Sequence, residues 1–137
     1  MKKLECILLI DDDDTVNFYN EFLIGEMNIA DKIVIRENGE EALNYLKECA
    51  DSDQPFPNLI LLDINMPIMD GFEFLQEFQK LPSSTNVDMV VVMLTTSLHP
   101  EDKDRAETFD CVSGYLYKPL LEKSIREIVQ KNFALES

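Results

Sequence analysis

Short apolar segments alternate along the chain with longer amphipathic segments. The apolar segments are rich in aliphatic and β-branched residues, and they span residues 4–10, 32–36, 58–63, 87–94 and 112–117. Between and after them, apolar positions recur at helical spacing in residues 15–27, 39–50, 71–81, 100–109 and 120–133. Apolar strands that alternate with helices are typical of a parallel sheet covered on both faces. The pattern therefore predicts one α/β domain with its core at about residues 4–133.

The first predicted helix, residues 15–27, has both an expected buried face and an expected start. Its apolar positions, which should face the core, are Val16, Tyr19, Leu23 and Met27. Asp13 and Asp14 precede the helix, and acidic residues are favoured at a helix N-terminus. We expect both to start the helix, with Asp14 as its N-cap or as a charge that favours its dipole.

The composition limits the classes of partner. The 137 residues include 27 acidic and 12 basic side chains, which give a formal net charge of −15. Such a chain repels nucleic acid and anionic membranes, so we expect no direct binding to either. No apolar stretch approaches the roughly 20 residues that a membrane-spanning helix needs. The three cysteines, Cys6, Cys49 and Cys111, share no metal-binding spacing and are odd in number, which favours free thiols and a cytoplasmic location.

Polar residues follow four of the five predicted strands at the point where each ends. Asp11 and Asp12 follow the first strand, Asp63 ends the third, Thr95 follows the fourth and Lys118 follows the fifth. The carboxyl ends of parallel strands meet at one edge of the sheet, where ligands bind in this class of fold. Clustered carboxylates repel one another, and a hard cation such as Mg²⁺ relieves that repulsion. With a lysine and a hydroxyl donor added, the set is suited to phosphoryl transfer.

Four segments together resemble the signature of a known family. They read "ILLIDDDD", "LILLDINMPIMDGFEFL", "VVVMLTTS" and "GYLYKP", and they are similar to the response-regulator receiver domain of two-component signalling in order and spacing. The resemblance extends over nearly the whole chain and implies a single receiver domain over residues 1–137, in the stand-alone, chemotaxis-type form. It also implies a doubly wound, flavodoxin-like sheet with strand order 2-1-3-4-5.

The resemblance assigns roles to the acidic residues. Asp63 corresponds to the aspartate that accepts a phosphoryl group from a histidine kinase or a histidine phosphotransfer protein. Asp12 corresponds to the direct ligand of the Mg²⁺ cofactor, and Asp11 to the ligand that acts largely through water. Asn65 would offer its backbone carbonyl to the same ion. These residues, together with Asp63 itself, form the expected metal site.

The resemblance also assigns the remaining site residues and the output. Lys118 would contact the phosphoryl group, Thr95 would donate a hydrogen bond to it, and Tyr115 corresponds to the aromatic switch residue. The protein would then be a signalling phosphoacceptor that catalyses only its own phosphotransfer and dephosphorylation. Its output would be contact with a protein that the sequence does not identify, and a phosphorylation-dependent dimer is compatible with it.

Two other functions stay open on the sequence alone. A pseudo-receiver would bind proteins without being phosphorylated, although all five polar strand-end residues are present. A haloacid-dehalogenase-type phosphatase would use Asp11 as nucleophile and Asp13 as acid/base, because Asp11 to Thr15 fit the motif D-x-D-x-[TV]. That family needs a further acidic motif at a strand end, which is not found here, and the segment D-x-x-M-P-x-M-D-G would stay unexplained.

Overall fold

A five-stranded parallel sheet forms the centre of the protein. The computed structural model describes residues 3–82 and 89–133. The strands are β1 (Ile7–Ile10), β2 (Ile33–Arg36), β3 (Leu59–Leu62), β4 (Val90–Thr95) and β5 (Val112–Tyr117). Their spatial order is β2-β1-β3-β4-β5, and every neighbouring pair is parallel. The predicted doubly wound sheet is confirmed.

Helices cover both faces of this sheet. They are α1 (Asp14–Met27), α2 (Gly39–Ala50), α3 (Gly71–Lys80), α4 (Pro100–Glu107) and α5 (Glu122–Phe133). One apolar cluster packs side chains of α2, α3 and α4 against the sheet, and a second packs those of α1 and α5 against its other face. Within the described ranges, no helix combines the length and apolar character needed to cross a membrane.

The predicted boundaries match the structure in some elements and differ by a few residues in others. The second helix and the fifth strand begin and end where the sequence places them. The first strand starts only at Ile7, because Leu4 forms just an isolated bridge to Ala30. The fourth strand was predicted over residues 87–94, of which 87 and 88 lie outside the described residues. The last two helices were predicted two residues too long: one ends at Glu107, and the other begins at Glu122.

The predicted buried face of α1 is confirmed only in part, because Leu23 and Met27 pack against the core but neither is fully buried. The residues of α1 that are fully buried are Asn17, Asn20 and Ile24. Tyr19 is exposed, and the remaining predicted positions are only half-buried. The reason lies at the end of β1, because the side-chain amide of Asn17 donates to the Asp11 carbonyl oxygen at 2.8 Å. That contact turns the asparagine towards the sheet.

The N-cap of α1 is Asp13. Its Oδ1 accepts hydrogen bonds from the backbone N–H groups of Thr15 and Val16, at 2.9 and 3.2 Å. Asp14 is the first residue of the helix, where its negative charge is favourable to the helix dipole. The predicted role of both residues in starting the helix is confirmed, but the capping side chain lies one residue earlier than expected.

Candidate functional site

Three carboxylates meet at the carboxyl edge of the sheet. Asp11 directly follows β1, Asp12 comes next, and Asp63 directly follows β3, the strand that pairs with β1. One carboxylate oxygen from each lies within 4.8 Å of the others. Asp11 and Asp63 are buried, whereas Asp12 is exposed. The strand-end prediction for these residues is therefore confirmed in position.

Lys118 reaches this cluster from the end of β5. Its ammonium lies 2.6 Å from Asp11 Oδ2 and 3.4 Å from Asp63 Oδ2. Its backbone N–H donates to the Thr95 carbonyl at 2.9 Å, which fixes the start of the loop. Burial alone would lower the pKa of Lys118, but the hydrogen bond to Asp11 and the charge of Asp63 outweigh burial and raise it. Lys118 is thus a firmly protonated cation.

Asp63 is the less well neutralised of the two buried carboxylates. Its Oδ1 accepts a hydrogen bond from the Ile64 backbone N–H at 2.9 Å. Burial and the nearby charge of Asp11 raise the pKa of Asp63 to about 6, although Lys118 opposes the rise. The lysine is closer to Asp11, so Asp63 keeps an unfavourable charge above that pH.

Replacing Asp63 with asparagine should stabilise the metal-free protein at neutral pH. The folded protein retains this proton at a pH where the unfolded chain, with its ordinary pKa of 3.8, has lost it. The contribution of Asp63 to wild-type stability therefore falls as the pH rises from about 4 to about 6. In the presence of a chelator, we expect Asp63→Asn to raise the free energy of unfolding by roughly 2 kcal/mol at pH 7.5 and by almost nothing at pH 4.

Denaturant titrations at the two pH values measure this difference. The exposed residue Asp104 provides the control, since Asp104→Asn removes the same charge from the surface of α4. A stabilisation by Asp63→Asn that persisted unchanged at pH 4 would show that ionisation of Asp63 is not its cause.

The loop after Asp63 is shaped by close backbone contacts. The Gly71 N–H donates to the Ile64 carbonyl at 2.8 Å, and Asp70 forms a reciprocal capping box with Glu73 at the start of α3. Ile68 is exposed and has φ 68°, a left-handed conformation that is unfavourable for a β-branched residue. The contacts on either side of Ile68 hold the loop in this form.

Gly71 leaves no room for a side chain. A Cβ there would press against the Asp63 carbonyl oxygen and lie 3.0 Å from the Ile64 Cα, and both of these are backbone atoms. We expect Gly71→Ala to lower the free energy of unfolding by about 2–3 kcal/mol and to displace Asp63. Gly25→Ala in α1 is the matched control, because a Cβ there meets nothing within 4 Å. That control should be neutral or slightly stabilising in the same denaturant titrations, and equal losses in both variants would contradict the clash.

Within the described ranges, no hydrogen bond joins the other predicted site residues to the three carboxylates. Thr95 is fully buried at the end of β4, and its Oγ1 accepts a hydrogen bond from the Ser97 N–H at 3.1 Å. Tyr115 is half-buried on β5. Its hydroxyl lies near Ser97 but has no hydrogen bond within the described part of the chain. Asn65 is exposed two residues after Asp63.

Hydropathy gave no signal for Asn17 and selected Tyr19 only as a core residue, yet both support the site. Asn17 is 3% exposed and holds the Asp11 carbonyl, while its Oδ1 has no partner among the described residues. The Tyr19 hydroxyl donates to the Leu120 carbonyl at 3.0 Å and so ties α1 to the loop that follows Lys118. The Asn17 contact buries a polar side chain where an apolar one was expected. The Tyr19 contact joins two segments that are far apart in sequence.

The acidic cluster fits a hard divalent cation. Such ions prefer carboxylate oxygens, and three of these can converge here. Asp12 is exposed, so its carboxylate is open to an ion that enters from solvent. The residues present are therefore chemically suited to Mg²⁺ or a similar ion.

Comparison with known proteins identifies the family. The family model of the response regulator receiver domain matches residues 7–130. The chain therefore belongs to the response regulator receiver domain family of two-component signalling. Response regulators of this family interact with histidine kinases or phosphotransfer proteins, and receiver domains are signalling domains.

Individual relatives match over nearly their whole length. The chain is 31% identical over 124 residues to the chemotaxis protein CheY of Halobacterium salinarum, covering 90% of this chain and 92% of that protein. It is 34% identical over 136 residues to the response regulator Rcp1 of Synechocystis sp., covering 97% and 90%. The crystal structure of Mn²⁺-bound Rcp1 matches with a TM-score of 0.72 at 31% identity, over 97% of this chain and 96% of that one.

A two-component response regulator from Cytophaga hutchinsonii is also similar in structure. Its crystal structure matches with a TM-score of 0.88 and 33% identity, over 98% of this chain and all of the other. The agreement includes the doubly wound sheet with strand order 2-1-3-4-5 and five helices.

Proposed function

We propose that Asp63 is the phosphoacceptor of this receiver and takes its phosphoryl group from a phosphohistidine. The main observation behind this proposal is that the Asp63 carboxylate lies close to two further carboxylates and to the Lys118 ammonium. A carboxylate oxygen of Asp63 attacks the phosphorus in line with its bond to the imidazole nitrogen. That bond breaks, and its electron pair stays with the imidazole.

The charges of the pocket support this chemistry. Lys118 is protonated and lies near Asp63 Oδ2, where it can stabilise negative charge on the phosphoryl oxygens. With a pKa of about 6, Asp63 is mainly ionised at neutral pH and can act as a nucleophile. The Ile64 N–H holds one of its oxygens, which leaves the other to form the new bond.

Mg²⁺ is the proposed cofactor. Asp11, Asp12 and Asp63 would hold it, with the backbone carbonyl of Asn65 as a further ligand. When bound, the ion would neutralise charge shared by the carboxylates and the phosphoryl group. The Mn²⁺-bound form of Rcp1 is a precedent in a relative that is 34% identical.

Thr95 and Tyr115 are the proposed switch. The Thr95 hydroxyl already accepts from Ser97, and its own proton is left to donate to a phosphoryl oxygen on Asp63. Movement of Thr95 would change the loop beside Tyr115, whose buried hydroxyl lacks a partner among the described residues. The altered surface around Tyr115 would then be read by an output protein.

The phosphatase alternative loses support from the role of Asp13. Its Oδ1 accepts two backbone N–H groups of α1, and it lies outside the carboxylate cluster. It is therefore poorly placed to act as the acid/base partner of Asp11.

Phosphoramidate tests the proposed donor chemistry, because its phosphorus–nitrogen bond resembles that of phosphohistidine. With Mg²⁺ present, intact-mass measurement should show the gain of one phosphoryl group. The gain should vanish with a chelator and in Asp63→Asn, while Asp104→Asn should be labelled like wild type. Labelling that survived in Asp63→Asn would contradict the proposal.

A further inference from the structure

A groove runs along the outer edge of β2, between α1 and α2. β2 is an edge strand, so one side of it has no neighbouring strand in the part of the chain that the structure describes. Two adjoining cavities on that side share Glu21, Ile35 and Arg36 as lining residues. We call this surface the β2 groove; Phe18 and Glu21 belong to its α1 wall, and Glu41 and Glu48 to its α2 wall.

The floor of the β2 groove has outward-facing backbone groups. The carbonyls of Lys32 and Arg36 accept hydrogen bonds from β1 and from Asp11, at 2.9 and 3.1 Å. Backbone groups alternate in direction along a strand, so those of Ile33 and Ile35 point away from β1 into the groove. The Arg36 side chain donates to the Ile35 carbonyl at 2.7 Å. A hydrogen-bond donor inside the groove can therefore reach the outward-facing backbone carbonyls of β2.

The walls of the groove combine the exposed ring of Phe18 with acidic side chains that form no ion pair within the described ranges. Phe18 is 73% exposed, and Phe22, one turn further along α1, is 60% exposed. The carboxylates around the groove are Asp14, Glu21, Glu37, Glu41 and Glu48. None of the five takes part in an ion pair found in residues 3–82 and 89–133.

The two cations of the groove are fewer than its acids and form no ion pair with them within the described ranges. Lys32 and Arg36 lie over the ring of Tyr45, at 5.8 and 4.8 Å from its centre. The groove therefore presents an excess of negative charge beside apolar surface. That combination is complementary to a ligand that carries both positive charge and apolar side chains.

We propose that the β2 groove binds an extended, basic segment of a partner protein as a sixth strand beside β2. Basic and apolar residues alternate in this segment, since successive side chains of a strand face opposite sides. A helix would leave the outward N–H groups of Ile33 and Ile35 unpaired. A second copy of this chain, with its net charge of −15, would meet like charge. The proposal is independent of phosphorylation at Asp63.

A short peptide tests this assignment on the unphosphorylated protein. The probe is an acetylated and amidated peptide of alternating lysine and valine, added to ¹⁵N-labelled protein and followed by amide shifts and hydrogen exchange. Exchange of the Ile33 and Ile35 amides should slow at least ~10-fold in the complex. The double variant Glu21→Lys/Glu41→Lys should bind the peptide at least ~10-fold more weakly, and Phe18→Ser about 5-fold.

Control variants make the same kinds of charge and apolar substitution at positions outside the β2 groove. Glu101→Lys/Glu127→Lys changes the charge equally on α4 and α5, and Leu98→Ser removes an exposed apolar side chain outside the groove. Both should bind the peptide like wild type. The proposal is overturned if binding is absent at about 1 mM peptide or survives N-methylation of alternate peptide amides. It is also overturned if a glutamate–valine peptide binds equally, or if Ile33 and Ile35 are protected by self-association without peptide.

Discussion

Asp12→Ala should strongly slow Mg²⁺-dependent phosphorylation while the fold persists. Asp12 is the exposed member of the carboxylate cluster, and no hydrogen bond within the described ranges engages its side chain. Removal of one charged oxygen ligand weakens binding of a hard cation, whose affinity depends on ligand charge. Loss of one electrostatic stabiliser of a transition state typically slows a reaction by ~10²–10³-fold. We expect a loss of that order in the labelling rate with phosphoramidate.

The metal-free stability of Asp12→Ala separates this effect from misfolding. Removing one of three mutually repelling carboxylates should leave the melting temperature unchanged or slightly higher when a chelator is present. Asp14→Ala is the matched control, since it removes the same charge two residues away at the first position of α1. It should be labelled at nearly the wild-type rate. A large fall in the melting temperature of Asp12→Ala would contradict the electrostatic account of the cluster.

Lys118→Ala should impair both phosphorylation and metal-free stability. Lys118 is the cation that faces Asp11 and Asp63, and its side chain is only 12% exposed. Without it, two buried carboxylates lose their counter-ion, a change that typically costs about 3–5 kcal/mol. The phosphoryl oxygens would lose their positive contact as well, so labelling should slow by ~10²–10³-fold.

Lys118→Arg distinguishes these two consequences. Arginine retains the charge and should recover much of the metal-free stability, but its planar guanidinium differs in shape from the compact ammonium. We expect it to remain poorly labelled. Lys123→Ala, at an exposed position on α5, controls for loss of a lysine. Wild-type labelling of Lys118→Arg would contradict a direct contact between the ammonium and the phosphoryl group.

The sequence predicts the position of the site better than its electrostatics. Asp11, Asp63 and Lys118 could be placed together because each follows a strand, and parallel strands end at the same edge. The raised pKa of Asp63 could not be predicted, because it depends on burial and on which carboxylate the lysine approaches more closely. Side-chain distances of this kind are set by the packed structure.

The error in α1 has a similar physical cause. Hydrophobic spacing selects Val16 and Tyr19 as inward residues, yet Asn17 is buried because its amide satisfies the Asp11 carbonyl. A buried backbone carbonyl needs a donor, and no hydrophobicity pattern records that need. The contact from Tyr19 to the Leu120 carbonyl spans 101 residues and was equally invisible in local sequence. The choice of Asp13 over Asp14 as N-cap could not be made from residue type, since both are aspartates.

The location of the covalent phosphoryl group tests the central proposal most directly. Protein treated with Mg²⁺ and a small acyl phosphate is digested, and the modified residue is mapped by mass spectrometry. We expect one acyl phosphate, on Asp63, with Asp13→Asn labelled nearly like wild type. Modification of Asp11, together with loss of activity in Asp13→Asn, would support the phosphatase function instead. No modification with any donor would contradict the phosphoacceptor role and favour a binding module that is not phosphorylated.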